Sequence, residues 1–134
     1  MRRIPRSSSL VLLAILLAAC AGRTGPAWAP APIGDLASVR GTWAGLMLRD
    51  PAGREDWLEL TIAPDGSFQG KSYRQIGALS GSGHFTLVNG RLEAKTARAS
   101  LTGALFQADG RRMLRIEATT TDGLRFRAEL EPAQ

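Results

Sequence analysis

Residues 112–131 read RMLRIEATTTDGLRFRAELE, and their alternation decides the fold. Leu114, Ile116 and Ala118 fall on one side of a strand, with Arg115, Glu117 and Thr119 on the other. After Asp122-Gly123, the residues Leu124, Phe126, Ala128 and Leu130 alternate against Arg125, Arg127, Glu129 and Glu131. A period of two is the mark of a strand with one buried and one wet face. An Asp-Gly or Asn-Gly pair between two such runs signals an antiparallel hairpin, because these residues accept the positive φ of a tight turn.

The same grammar recurs upstream. Leu58, Leu60 and Ile62 alternate with Trp57, Glu59 and Thr61, and Asp65-Gly66, Asn89-Gly90 and Asp109-Gly110 punctuate further runs. Pro51-Ala52-Gly53 supplies another turn, with softer breaks at Gly77 and at 97–100. No window holds a helical period for more than about two turns. The reading is eight strands, at 39–49, 56–63, 67–75, 79–88, 91–97, 100–107, 112–119 and 124–131. Short strands joined by tight turns predict an all-β fold, an antiparallel up-and-down β-barrel whose closure removes exposed sheet edges. A two-sheet sandwich is the alternative. Inward-phase glycines favour the barrel: Gly41 and Gly45 with Trp43, Gly70 with Phe68, Gly81 and Gly83 with Phe85, Gly103 with Leu101 and Leu105. Such glycines imply sharp coiling or space left for bulky neighbours. The outward phase carries Arg40, Glu59, Lys71, Arg115, Glu117, Arg125 and Arg127, which does not suit the apolar outer band of a membrane-spanning barrel.

Ahead of this domain, residues 1–19 have the layout of a secretory leader. Arg2, Arg3 and Arg6 precede the uncharged run Leu10 to Leu17 and two small residues. The run is too short to remain as a membrane-spanning helix. Its end, Leu17-Ala18-Ala19-Cys20, resembles the lipobox of bacterial lipoproteins. The resemblance implies cleavage before Cys20, lipid on that thiol and an outer-membrane location, since Ala21 and not an aspartate follows. Several acyl chains on one residue give durable attachment where a single chain does not. Residues 20–35 then read as the lipidated cysteine and a flexible linker, whose Pro26, Pro30 and Pro32 oppose regular structure. Trp28 either folds back onto the domain or dips into lipid headgroups. The barrel domain is assigned to 36–134.

Composition narrows the function classes. Arg2, Arg3 and Arg6 leave with the leader, which takes the formal charge from +5 to +2. No basic excess or single-sign stripe remains to demand nucleic acid. One cysteine and one histidine leave no basis for a disulfide framework or a Cys/His metal cluster. No cofactor is expected. Catalysis is not expected either: His84 lies out of phase with Phe85, and Ser80 and Ser82 beside it make no nucleophile–base–orienter arrangement.

The first strand holds Gly41-Thr42-Trp43. It resembles the Gly-x-Trp opening of lipocalins and the Gly-Thr-Trp opening of avidin-like barrels. Leu60 to Ile62, Asp65-Gly66 and Gly70 to Tyr73 are similar to an avidin's first hairpin. The resemblance implies that Trp43 packs at the closed end under a basic lid, a role for Arg125 or Arg127. No tryptophan after Trp57 exists to build a biotin site, and a cysteine bridge of the lipocalin or bacterial-inhibitor kind is absent. Two functions are expected. One is binding of a small apolar or amphipathic ligand by the barrel interior, with Trp43, Met47, Leu60, Phe68, Ser72, Phe85, Leu105 and Phe126 as lining. The other is an envelope scaffold or protein-interaction module, inhibitor-like included, with a packed core and Trp57, Tyr73 and Phe106 on the outer face.

Overall fold

A computed structural model of the chain describes residues 27–50, 55–73 and 78–134. The expected leader, Cys20, the turn expected at 51–53 and Gly77 lie outside the described residues. Ten strands are present: β1 (Ala29–Ala31), β2 (Gly41–Asp50), β3 (Glu55–Ile62), β4 (Ser67–Tyr73), β5 (Ala78–His84), β6 (Thr86–Val88), β7 (Arg91–Lys95), β8 (Ala99–Ala108), β9 (Arg111–Thr120) and β10 (Arg125–Pro132). The expected alternation puts them in one antiparallel sheet of order β5-β4-β3-β2-β10-β9-β8-β7-β6. Its two ends, β5 and β6, are halves of one bent strand interrupted at Phe85. The meander therefore comes round on itself as a nearly closed barrel.

Two features depart from the eight expected strands. The expected strand at 79–88 breaks at Phe85, whose amide donates to the carbonyl of Gly66 at 2.8 Å and leaves the ladder. Among the described residues no ladder joins β5 to β7, so the wall has one seam there. The proline-rich linker is also not free of regular structure. Ala29, Pro30 and Ala31 pair with Gln107, Phe106 and Leu105 of β8, beyond the point where β7 stops pairing with it. An edge position tolerates proline, because the missing N–H would have faced away from a partner. Ile33 follows as a core residue, 2% exposed, its amide donating to Gly90 O at 2.9 Å. The boundary expected at residue 36 therefore moves back to about Trp28.

The turns behave as their sequences require. Asn89 (φ 51°) with Gly90 (φ 76°), and Asp109 (φ 48°) with Gly110 (φ 75°), carry positive φ at both central positions, as type I′ hairpins do. The inward phase fills one core around Trp43, Ile62, Phe85, Leu92, Leu114 and Leu130. Every core position falls within residues 31–130.

The inward glycines divide into two kinds. A side chain at Gly45 would run into the carbonyl of Glu129; at Gly83 it would meet Phe68 at 2.7 Å, and at Gly103 Ile116 at 3.0 Å and Leu92 at 3.1 Å. These three are space given to neighbours. At Gly81 nothing lies within 4 Å, and at Gly70 the nearest atom is Leu60 Cδ1 at 3.8 Å. These two border empty space.

Candidate functional site

One end of the barrel is blind. Residues Leu36–Val39 form a single 3-10 turn, started by Asp35, whose Oδ1 accepts the Ser38 amide at 2.8 Å. This turn lies across the β2, β9 end. The Trp43 indole donates to Val39 O at 2.9 Å, and Arg112 Nη2 donates to Ser38 O at 2.6 Å. The Arg112 guanidinium stacks 5.2 Å from the Trp43 ring centroid. The expected basic lid is therefore real, but Arg112 supplies it. Arg125 and Arg127 alternate against Phe126 and are exposed, so neither can reach inward. Arg112 is in phase with Leu114 and Ile116, and that inward phase was the signal available in the sequence.

The other end is open. A cavity of about 650 Å³ runs in from it, within the range that holds small organic ligands. Its buried wall is Leu60, Phe68, Ile116 and Ala128, and nearer the mouth come Met47, Leu58, Leu101 and Phe126. Gly70 and Gly81 supply the room described above. Polar groups are few: Ser72, 8% exposed and the one buried polar side chain among the described residues, with Ser80, Ser82, Thr96, Arg98 and Thr120.

Five of the eight residues expected to line the interior do so: Met47, Leu60, Phe68, Ser72 and Phe126. Trp43, Phe85 and Leu105 point inward as expected but are packed into the core, at 1%, 0% and 5% exposure, and do not line the cavity. Sequence reasoning missed Leu58, Leu101, Ile116 and Ala128, which share the inward phase and differ only in being less conspicuous.

The rim is held in place by local hydrogen bonds. Thr96 Oγ1 accepts the amides of Ala99 (3.1 Å) and Arg98 (3.3 Å), and the Thr121 amide donates to Arg98 O at 3.0 Å. Thr120 Oγ1 accepts the Leu124 amide at 3.0 Å and bonds Asp122 Oδ1. A further inward residue of β2, Arg49, was not foreseen. It follows Met47 in phase, pairs across to Phe126, and holds its guanidinium 5.2 Å from that ring's centroid.

The outer wall carries two distinct surfaces. On β2, β3 and β4, Leu46, Trp57 and Tyr73 lie directly opposite one another, at 50%, 47% and 46% exposure, with Leu48 beside them. On β8 and β9, Phe106 is not free as expected: the Arg115 guanidinium covers its ring at 4.5 Å and also bonds Glu129 at 3.2 Å. Next to it Arg111 pairs with Glu131 and sits 5.6 Å from the Trp28 ring. Trp28 thus folds back onto the domain. His84 is exposed, as expected, and borders a shallow cleft of about 480 Å³ along the β5/β7 seam, with Glu93 and Lys95 on its other side.

No protein-family model matches this chain, and no curated protein matches it either.

Proposed function

We propose that this chain is a membrane-anchored bacterial envelope lipoprotein whose lipocalin-like barrel binds a small apolar or amphipathic molecule. The observation that carries the ligand reading is the cavity of about 650 Å³, blind at the Arg112–Trp43 end and open at the other. A barrel that served only as a scaffold would gain stability by filling that space, since empty apolar volume costs packing energy. The gaps at Gly70 and Gly81 are consistent with selection for room. Anchoring rests on the leader and on Leu17-Ala18-Ala19-Cys20. The described chain enters through Trp28 and β1 at the blind end, an arrangement in which a lipid on Cys20 would leave the mouth away from the membrane.

The test is native mass spectrometry of the envelope-expressed chain, followed by titration with an apolar fluorescent probe. Co-purifying small-molecule mass, or saturable probe binding abolished by Gly81→Phe, is expected. Protein that is always empty and binds no probe overturns the ligand reading. Metabolic labelling with a radiolabelled fatty acid, lost in Cys20→Ser, checks the anchor separately.

A second reading, an interaction module, is favoured by the Leu46–Trp57–Tyr73 row on the outer wall. Aromatic residues in contiguous exposed apolar patches are enriched where proteins meet. In that case Trp57→Ala removes a co-purifying envelope partner that wild-type protein retains.

A further inference from the structure

A positive charge lies beside the cavity, against its lining residue Phe126. Arg49 projects inward from β2, one step above the lining residue Met47. Its stem is partly buried, and Nε is fully enclosed with no hydrogen-bond partner. Its guanidinium rests on the face of Phe126, itself a lining residue. Among the described residues no carboxylate pairs with it. Asp122 accepts from Thr120. A buried guanidinium nitrogen without an acceptor is costly, and an aromatic face does not supply the directed acceptor that an N–H requires. Arg98 adds a second cation at the mouth; it lines the cavity from the β7–β8 connection, with β10, β9 and β8 between it and β2. Its backbone is fixed by Thr96 and Thr121, and among the described residues its side chain has no acidic partner.

We propose that the cavity takes a single-chain amphiphile with an anionic head, its hydrocarbon against Leu60, Phe68 and Ile116 and its head on Arg49. This rests on the ligand-binding reading above and names the class of molecule bound. A guanidinium meets a carboxylate with two parallel N–H···O bonds, and these are stronger where water is partly excluded. The Phe126 face holds the guanidinium in place before the ligand arrives. Arg98 contributes long-range attraction at the lip, so its effect falls with added salt, whereas the partly enclosed Arg49 is screened less.

The experiment uses the mature-length chain, residues 20–134 with Cys20→Ser, and three probes of equal chain length: hexadecanoate, hexadecanol and hexadecylammonium. Isothermal titration is run below the critical concentration of each. Hexadecanoate is expected to bind at least tenfold more tightly than hexadecanol, and hexadecylammonium more weakly than either. Arg49→Met, which keeps the apolar stem, is expected to bring hexadecanoate to the level of hexadecanol while hexadecanol itself is unchanged. Arg49→Lys restores part of the preference. Equal binding of acid and alcohol by wild type, or a preference that survives Arg49→Met, overturns the head-group assignment while leaving the cavity reading intact. Failure of all three probes overturns both, and unchanged melting of the variants confirms that the comparison is between folded proteins.

Discussion

The guanidinium of Arg112 lies 5.2 Å from the ring centroid of Trp43, and its Nη2 donates to Ser38 O at 2.6 Å, so one side chain fastens the 3-10 turn to the barrel floor. A guanidinium over an indole is worth about 0.5–2 kcal/mol, and a charged donor to a carbonyl about 1.5–3 kcal/mol. Arg112→Ala is expected to lower stability by about 2 kcal/mol, with Arg112→Lys recovering less than half. Trp43→Ala loses more, about 3–5 kcal/mol, because it also opens a cavity. Urea unfolding followed by far-ultraviolet circular dichroism measures both. Equal losses from Arg112→Ala and from an exposed control such as Arg125→Ala would contradict the lid.

Two glycines should respond oppositely to the same substitution. Gly45→Ala drives a methyl into the carbonyl of Glu129 across the β2/β10 ladder, which must then shift, at about 2 kcal/mol or more. Gly81→Ala meets nothing within 4 Å and should be neutral to slightly stabilising. Thermal melts of the two variants side by side decide it.

The segment before residue 36 should matter to stability as well as to reach. Ile33→Ala is expected to cost about 2–4 kcal/mol, the range for a buried isoleucine truncated to alanine. A loss below about 0.5 kcal/mol would mean that the segment is a mere tether.

The β3–β4 turn carries a pH dependence. Asp65 accepts from Ser67 Oγ at 2.7 Å and from the Ser67 amide at 3.0 Å, and these bonds, with a smaller contribution from His84, hold its carboxyl below the ordinary aspartate value of 3.8. A depressed folded value means that the ionised form is the one the fold favours. The turn's contribution is therefore complete above pH 3.8 and is lost as pH falls through the lowered folded value. Carboxyl carbon chemical shifts of Asp65 in wild type and Ser67→Ala report it; the midpoint should rise in the variant.

Trp57 is expected to be dispensable for folding. At 47% exposure, its truncation to alanine should change stability by no more than about 0.5–1 kcal/mol. Chemical denaturation shows whether any partner lost with Trp57→Ala was lost from the surface and not through unfolding.

The eight wall strands were legible in the sequence because alternation and Asp-Gly or Asn-Gly turns report the same thing from independent chemistry. β1 was not, since prolines veto a central strand but not an edge one, and nothing local distinguishes the two. The break at Phe85 was hidden for a similar reason: its cause is the carbonyl of Gly66, some twenty positions away. The two inward arginines were within reach. Arg112 shares phase with Leu114, and Arg49 with Met47, so the alternation alone puts both charges on the inner side of their strands. Which of the inward residues face empty space depends on how the sheet coils, and a single strand does not carry that information.

The seam between β5 and β7 gives the wall a mechanical direction. Everywhere else a change in girth would break a ladder of backbone hydrogen bonds. Here β5 can swing about Phe85 while β6 stays on β7, so the barrel can widen at the cost of side-chain contacts alone. Amide exchange should be fastest on the unpaired edge of β5, beside Gly81, on the very wall that borders the cavity.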